Sequence, residues 1–492
     1  MTSQALIEAR QYEKLKEKEI PSEERPLFHL AARTGWMNDP NGFSEYNGIY
    51  HLFYQYYPYK PKWGPMHWGH AVSRDFVKWE YRPAVLAPDT DADSAGCFSG
   101  SAVTLDDGRH MIMYTGVIAG KEPGDKDMQV QCLAFGDGEE YVKYEHNPIL
   151  CAENLPGHLS SFDFRDPKIN READGTYSCV VCGCTEDRDA RILYFTSSNG
   201  TDWKFRSVLA ENNGRFGTVW ECPDFFELDG KAVLLCSPME MLKDEKYYSG
   251  NGTMCLIGEL DRENCRLVEE SDSPIDCGID FYATQTLLTD DGRRVMTAWM
   301  QNWDALQNDT TGVHWFGQMI LPREITLRDG KLYQQPVREI LAYRKDRIVY
   351  QNVPVKERTE LVGINGRTAD ITVTLRAAEH GAYNEFEIRF AENNEYYSSF
   401  VYNRSQSLIT VDRSLSGTRK AVVHTRSFHT AEHENELKIR MILDRCSVEF
   451  FINDGEQTAS FTLYTDMKAD GISFRSDGNA VIDIEKYTLS DK

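Results

Sequence analysis

Three carboxylic acids in this sequence occupy positions that a single catalytic site could use. Asp39 lies in the segment WMNDPNG (36–42), Asp166 lies in FRDP and Glu221 lies in WECPD. Asp before Pro is typical of turns, so turn formation is an alternative explanation for Asp39 and Asp166 but not for Glu221. Paired carboxylates across a polar pocket carry out glycoside hydrolysis, in which one acid donates a proton and the other attacks or activates water.

The spacing of β-hairpin signals indicates how these distant acids could meet. An Asn-Gly or Asp-Gly step precedes an apolar run five times, which is the strongest local signature of a hairpin. The glycines of these steps recur every 55 to 67 residues and are Gly48, Gly108, Gly175, Gly230 and Gly292. Because helical periodicity is scarce after residue 30, the repeat predicts an all-β chain with a five-bladed β-propeller over residues 28–335.

Counting back nine residues from each hairpin glycine gives one equivalent position in every blade. The residues at this position are Asp39, Ser99, Asp166, Glu221 and Ala283. If the strand before each hairpin is the innermost strand of its blade, the three acids converge at one end of the central channel. Crowded carboxylates repel one another and raise at least one pKa, which suits a site that needs a proton donor and an anion at the same pH.

Several longer motifs resemble those of the β-fructofuranosidases, the family that includes invertases, fructan hydrolases and sucrose-6-phosphate hydrolases. They are WMNDPNG (36–42), GCFSGSA (96–102), FRDP (164–167), WECPD (220–224), DFYATQ (280–285) and LDRCSVEFFINDGE (443–456). The resemblance covers nearly the whole chain from about Pro26. It implies a retaining hydrolase that cleaves terminal β-D-fructofuranosyl bonds of sucrose, short fructo-oligosaccharides or sucrose 6-phosphate.

The resemblance also implies roles for individual residues. Asp39 corresponds to the nucleophile that attacks C2 of the fructosyl unit, Glu221 to the acid/base, and Asp166 to the acid that binds fructose hydroxyls and stabilises the transition state. We expect Arg165 to hold Asp166 ionised while Glu221, beside Trp220, keeps its proton. The residues implied to line the fructose pocket are Asn38, Gln55, Trp63, Phe98, Ser99, Arg165, Asp280 and Trp299.

The segments outside the propeller have patterns of their own. Spaced charges in residues 1–27 predict an exposed helical extension, and residues 336–349 are interpreted as a linker with a short helical run. Alternating apolar and polar residues return in 350–492 and predict a C-terminal β-sandwich. We expect this second domain to be mainly structural, and direct sugar binding by it is an open alternative.

Composition excludes several classes of function. The net charge of −23 and the pI near 5.0 argue against a protein that binds nucleic acid or an anionic membrane. The N-terminus lacks the apolar core of a signal peptide, and no apolar run approaches the ~20 residues that cross a bilayer, so a cytoplasmic location is predicted. The twelve scattered cysteines are expected to be free thiols.

The predicted reaction needs a small sugar as its partner and requires no metal or organic cofactor. We expect a monomer or a homodimer. A fructosyltransferase is an alternative, because it forms the same intermediate and passes the fructosyl unit to a sugar instead of water. A non-catalytic propeller that binds sugars or proteins is a second alternative, although such a protein would be expected to have lost one of the three acids. The motifs do not determine the leaving group.

Overall fold

Strands dominate the structure, as the alternating sequence pattern predicts. It is a computed structural model that describes residues 2–122, 124–156, 159–306, 312–379, 381–417, 422–430, 432–433 and 435–491. Within these residues, five small sheets follow one another along the chain, and a ten-stranded sheet follows them. The prediction of an all-β chain, with a five-bladed β-propeller before a β-sandwich, is confirmed.

Each blade is built from four strands that are nearly consecutive in the sequence. Blade 1 contains β1 (Gly35–Tyr46), β2 (Ile49–Tyr57), β3 (His67–Ser73) and β4 (Trp79–Leu86). Blade 2 contains β5 (Gly96–Thr104), β6 (His110–Ile118), β7 (Met128–Gly136) and β8 (Tyr141–Lys143). Blade 3 contains β9 (Arg165–Arg171), β10 (Tyr177–Cys184), β11 (Ala190–Ser197) and β12 (Lys204–Glu211).

The last two blades complete the ring. Blade 4 contains β13 (Trp220–Leu228), β14 (Lys231–Pro238), β15 (Met254–Asp261) and β16 (Arg266–Pro274). Blade 5 contains β17 (Tyr282–Leu288), β18 (Arg294–Trp299), β20 (Arg323–Arg328) and β21 (Lys331–Pro336). The short strand β19 (Trp315–Phe316) leaves blade 5 and pairs in parallel with β1 of blade 1. This pairing links the last blade to the first.

The five glycine steps join the first and second strands of the five blades. The glycines at these steps have φ between 70° and 85°, a conformation that glycine adopts without steric cost. The strands that precede them are β1, β5, β9, β13 and β17, and four of these form the edge of their sheet. The count of nine residues therefore identifies positions on the inner strand of each blade.

Every inner strand carries a β-bulge at the counted position or, in blade 4, immediately after it. The pairing register with the next strand shifts around Asp39, Ser99, Asp166, Cys222 and Ala283 in blades 1 to 5. Asp166, Cys222 and Ala283 have positive φ values of 63°, 50° and 53°. A bulge bends the strand and re-aims its side chains, so the same local distortion turns the five positions out of the regular sheet pattern.

The N-terminal region packs on blade 1 and contains helix α1 (Gln4–Lys16). The Ser3 side chain caps the helix by accepting a hydrogen bond from the Leu6 amide. Leu6, Ala9 and Glu13 are buried, so the helix is not the fully exposed extension that its charges predict. Short 3-10 helices occur at Glu17–Glu19, Ser22–Glu24, Asp91–Asp93, Ala152–Asn154, Trp303–Ala305 and Arg338–Tyr343.

The second domain is a sandwich whose two layers share one long strand. The 3-10 helix Arg338–Tyr343 leads directly into β22, so strand structure already begins within the segment interpreted as a linker. The strands are β22 (Arg344–Thr359), β23 (Ala369–Ala377), β24 (Glu385–Glu392), β25 (Ser398–Asn403), β26 (Leu408–Asp412), β27 (Thr425–His429), β28 (Glu436–Asp444), β29 (Ser447–Ile452), β30 (Gln457–Thr462) and β31 (Gly471–Leu489). The first part of β31 pairs with β24 and its later part with β23.

Buried charges connect the sandwich to the propeller. Arg323 of blade 5 is fully buried and donates hydrogen bonds to Asp276 and to Glu449 of β29. His29 lies between Asp444 and Glu449, at 2.8 and 2.9 Å. Although burial by itself lowers the pKa of His29, its hydrogen bonds with these two carboxylates raise it to about 9. Among the helices of the described residues, none is long and apolar enough to cross a membrane.

Candidate active site

The inner strands of blades 1, 3 and 4 bring the three acids together around the bulge of β13. The backbone N–H of Cys222 donates to Asp166 Oδ2 over 2.9 Å. The thiol of the same residue lies 3.6 Å from Asp39 Oδ2 and 3.8 Å from Asp166 Oδ2. Because Glu221 immediately precedes Cys222, this one bulge places all three acids in a single cluster.

Asp39 is half-buried and is held by two side chains. The Ser99 hydroxyl of blade 2 donates to Asp39 Oδ2 over 2.7 Å, and the Asn38 amide donates to Oδ1 over 3.0 Å. Asn38 is itself fixed by the indole N–H of Trp36, which donates to its carbonyl oxygen over 2.7 Å. Two neighbouring blades therefore orient this carboxylate.

Asp166 is the most buried of the three acids, with 6% of its surface exposed. Its backbone N–H donates to the Thr115 hydroxyl of blade 2 over 2.9 Å, while its carboxylate accepts from the Cys222 N–H of blade 4. The residue thus contacts the blades on both sides of its own blade. These contacts stabilise a backbone conformation that non-glycine residues rarely adopt.

Glu221 has donors on both of its oxygens. The guanidinium of Arg165 places Nε and Nη2 3.1 Å from Oε1. The Tyr282 hydroxyl of blade 5 lies 2.6 Å from Oε2. The Glu221 side chain remains 19% exposed, so it is accessible from outside the protein.

Crowding of the acids raises the pKa of two of them, as their predicted convergence implies. Burial, followed by the negative charge of Glu221, raises the pKa of Asp39, while its hydrogen bonds oppose the rise. Burial raises the pKa of Asp166 to about 7, with the charges of Glu221 and Asp39 adding to the effect and Arg165 opposing it. The site therefore favours fewer than three negative charges near neutral pH.

Arg165 does not hold Asp166 ionised, and this expectation was wrong. Its guanidinium is 3.1 Å from Glu221, whereas the nearest contact with Asp166 is 3.9 Å. A third group, Asp163, accepts from Nη1 over 3.0 Å. The cation is thus shared among three carboxylates, and its effect on Asp166 is outweighed by burial and by the two like charges.

The structure places several residues predicted for the fructose pocket close to the acids. Gln55 is buried on β2, and its amide donates to the backbone carbonyl of Cys97 on β5 over 3.0 Å. Phe98 follows Cys97 and precedes Ser99, and its ring meets Trp63 edge-on at 6.1 Å. Trp63 is 51% exposed, so part of its indole is accessible to a ligand.

Two residues predicted to line the pocket are fully buried and make their contacts within the protein. Asp280 is fully buried against the second domain, where Arg413 and the backbone and hydroxyl of Thr462 bind its oxygens. Because these donors already bind its carboxylate, Asp280 joins the propeller to the second domain and does not contact the sugar. Trp299 is also fully buried, and it packs on Trp36 at 5.9 Å. It belongs to the same packed cluster as Tyr282 and Cys222, and it can support the Trp36–Asn38 contact.

Comparison with known proteins identifies the family of this chain. The model for the glycosyl hydrolases family 32 N-terminal domain matches residues 29–336, and that for the family 32 C-terminal domain matches residues 339–491. The chain belongs to glycosyl hydrolase family 32. It is therefore a glycoside hydrolase, the class that its carboxylate cluster predicts.

Similar proteins align with almost the full length of the chain. A raffinose invertase of Escherichia coli is 35% identical over 471 residues, covering 93% of each chain. A sucrose-6-phosphate hydrolase of Bacillus subtilis is 32% identical, covering 98% of each chain. The solved structure of a Bombyx mori family 32 β-fructofuranosidase has a TM-score of 0.85 and 31% identity, covering 100% of this chain and 99% of that one. A mutant of that enzyme has been solved in complex with sucrose.

Sequence reasoning missed one residue of the family 32 site. Tyr282 begins β17 and contacts Glu221, a role that the motif DFYATQ does not reveal by itself. The sequence does point to this place, because counting back nine residues from Gly292 gives Ala283, which directly follows Tyr282. Cys222 is a packed thiol whose pKa burial raises well above the ordinary value, so the thiolate is disfavoured.

Proposed function

We propose that this protein is a retaining β-fructofuranosidase in which Asp39, Glu221 and Asp166 carry out the reaction. The observation that supports this most directly is the meeting of the three carboxylates at the Cys222 bulge, on three different blades. Asp39 is the nucleophile, because its carboxylate is held by Ser99 and Asn38 while the residue remains partly accessible.

In the first step Asp39 attacks C2 of the fructosyl unit and Glu221 protonates the glycosidic oxygen of the leaving group. The C2–O bond breaks, and a covalent fructosyl-enzyme forms. In the second step Glu221 takes a proton from water, which attacks C2 and releases Asp39. Two inversions at C2 give overall retention.

Asp166 binds fructose hydroxyls and stabilises the positive charge that develops on the sugar. Its Oδ2 is oriented by the Cys222 N–H, which leaves the other oxygen free for a substrate hydroxyl. Burial and the neighbouring carboxylates raise the pKa of Asp166, whereas the positive charge of the oxocarbenium-like transition state favours its ionised form. Asn38, Gln55, Trp63, Phe98, Ser99 and Arg165 complete the fructose pocket.

The substrates are small sugars with a terminal β-fructofuranosyl unit: sucrose, short fructo-oligosaccharides or sucrose 6-phosphate. Support comes from the relatives, whose names include a raffinose invertase and sucrose-6-phosphate hydrolases, and from the sucrose complex of the Bombyx mori enzyme. The test is a comparison of kcat/KM for sucrose, 1-kestose and sucrose 6-phosphate. Release of fructose from none of the three would refute the proposal.

Product analysis separates hydrolysis from transfer, because both use the same fructosyl-enzyme. At high sucrose concentration a hydrolase releases free fructose, whereas a fructosyltransferase makes growing oligosaccharides. Reaction in aqueous methanol tests retention independently. Methyl β-fructofuranoside is the expected product, and the α anomer would exclude the two-step mechanism.

A cytoplasmic location is part of the proposal and is supported by the cysteines. All twelve are free, and eight of them are buried. Free thiols are typical of proteins in a reducing compartment. The oligomeric state, monomer or homodimer, stays a prediction.

A further inference from the structure

The Tyr282 hydroxyl lies between two groups that can both accept its proton. Its oxygen is 2.6 Å from Glu221 Oε2 and 3.1 Å from the backbone carbonyl of Ser237 on β14. A phenol has one proton to donate, and a carbonyl oxygen can only accept. With Glu221 ionised, the phenol donates to Oε2, the shorter of the two contacts. With Glu221 protonated, the carboxyl can donate to the phenol oxygen while the phenol donates to the Ser237 carbonyl, so that each contact has its own proton.

Arg165 determines which oxygen of Glu221 carries that proton. Its Nε and Nη2 both approach Oε1 at 3.1 Å, and a guanidinium is a donor only. A proton on Oε1 would point at these donors, so the protonated carboxyl holds its proton on Oε2. The exchangeable proton is thus on the oxygen that faces Tyr282.

We propose that Tyr282 is a positioning residue whose hydroxyl follows the protonation state of Glu221. When Glu221 is protonated, the phenol donates to the Ser237 carbonyl and leaves Oε2 to hold its proton. When Glu221 has given this proton to the leaving group, the phenol turns and donates to Oε2. The inference rests on the acid/base role of Glu221 proposed above.

The proton balance in each step is simple. In the first step the Oε2 proton moves to the glycosidic oxygen as the C2–O bond breaks and the bond from Asp39 to C2 forms. In the second step Oε2 takes a proton from water as water bonds to C2 and Asp39 leaves. Tyr282 keeps its own proton in both steps, since burial and the charge of Glu221 raise its pKa well above the ordinary value.

Removing the hydroxyl isolates its contribution, because the other titratable groups that face Glu221 stay in place. These groups are Asp39, Arg165, Asp166, Cys182 and Cys222. In Tyr282→Phe the carboxylate form of Glu221 loses a charge-assisted hydrogen bond. Glu221 then releases its proton less readily, so the basic limb of kcat/KM against pH should move to higher pH by roughly one unit.

The decisive measurement compares two leaving groups. For Tyr282→Phe we expect kcat/KM on sucrose to fall about 10- to 100-fold. On β-fructosyl fluoride, whose fluoride leaves with little need of a proton, we expect a fall of less than about 3-fold. Tyr114→Phe is the matched control, since Tyr114 is a buried phenol that donates to Asp93 over 2.8 Å in blade 2. It should change neither the limb nor the ratio of the two substrates.

A second variant keeps the shape of the side chain. Site-specific 3-fluorotyrosine at position 282 is a stronger donor and should move the basic limb to lower pH, opposite to Tyr282→Phe. Equal losses on both substrates with no movement of the limb would overturn the inference and leave Tyr282 a packing residue. A wild-type enzyme that releases no fructose would instead refute the proposed function itself.

Discussion

At the scale of single residues, the three acids differ in the donors that hold them. Asp39 accepts from a hydroxyl and an amide, Asp166 from a backbone N–H, and Glu221, when ionised, from a guanidinium and a phenol. Hydrogen bonds to the ionised form of a carboxyl stabilise that form. Different donors can therefore give three chemically similar carboxyls different tendencies to be ionised. This separation allows one acid to attack while another exchanges a proton.

Asp39→Ala and Glu221→Ala should each lower sucrose turnover by about 10³-fold or more, because each removes one partner of the two-step reaction. Circular dichroism should show an unchanged fold. Asp174→Ala is a suitable control, since Asp174 is an exposed acid in the hairpin of blade 3. Substantial activity of Asp39→Ala would contradict its assignment as the nucleophile.

Ser99→Ala should change the pH profile more than the fold. Loss of its hydroxyl removes a hydrogen bond that opposes the raised pKa of Asp39. The pKa rises further, and since attack needs the ionised carboxylate, the acid limb of kcat/KM should move to higher pH by up to about one unit.

Ser101→Ala is the matched control for this prediction. Ser101 is a buried serine on the same strand, and its hydroxyl donates to the Pro167 carbonyl over 2.8 Å. An acid limb that moves equally in both variants, or in neither, would contradict the role assigned to Ser99.

At the scale of elements, five equivalent bulges determine where the functional side chains point. The alternation of a regular strand would direct neighbouring residues to opposite faces, whereas a bulge breaks this alternation at one position. The counted position, which lies at the bulge in four blades and one residue before it in blade 4, carries Asp, Ser, Asp, Glu and Ala. The scaffold therefore offers five places around the channel, and the sequence uses three of them for acids.

Gly317→Ala should disturb the site through the strand that carries Asp39. Gly317 has a φ of 94°, and a Cβ there would lie 2.0 Å from the backbone oxygen of Met37 on β1. Because the backbone must move to admit the methyl group, we expect kcat/KM to fall at least about 10-fold, along with a lower melting temperature.

Gly175→Ala separates this clash from the cost of the backbone conformation. Gly175 has a similar φ of 85°, but a Cβ there would meet no atom within 4 Å. We expect a loss of about 1 kcal/mol in unfolding free energy from backbone strain, with kinetics unchanged. Wild-type kinetics in Gly317→Ala would show that β1 tolerates the displacement.

At the scale of the whole molecule, buried ion pairs fix the sandwich to the propeller. Asp280 with Arg413, and Arg323 with Glu449, are fully buried pairs that cross between the two domains. Removing one partner of such a pair leaves an unpaired buried charge, which costs more than removing both partners. The interface therefore depends on complete pairs.

Asp280→Asn should lower the unfolding free energy by about 3–5 kcal/mol, since Arg413 is left without its counter-charge. The double variant Asp280→Asn with Arg413→Met should recover part of this loss. Urea unfolding measures the stability, and the KM for sucrose of the folded protein should be unchanged. A raised KM that the second substitution does not restore would place Asp280 in the sugar site after all.

Much of the fold, and the three acids of the site, could be predicted from local sequence. The hairpin steps specify where each blade turns, since only a few residue types adopt the backbone conformation that such turns need. Their repeat gives the number of blades, and the phase of the acids relative to the turns gives Asp39, Asp166 and Glu221. These features depend on neighbours in the chain, which a sequence shows directly.

Contacts between blades and between domains were decided only by the tertiary structure. The sequence cannot show that Arg165 lies closer to Glu221 than to Asp166. Nor can it show that Tyr282 contacts Glu221, or that Arg413 forms an ion pair with Asp280. These contacts join residues that are tens to hundreds of positions apart. Their partners depend on differences of about an ångström in how the blades and the sandwich pack, and burial then determines the charge that each acid can carry.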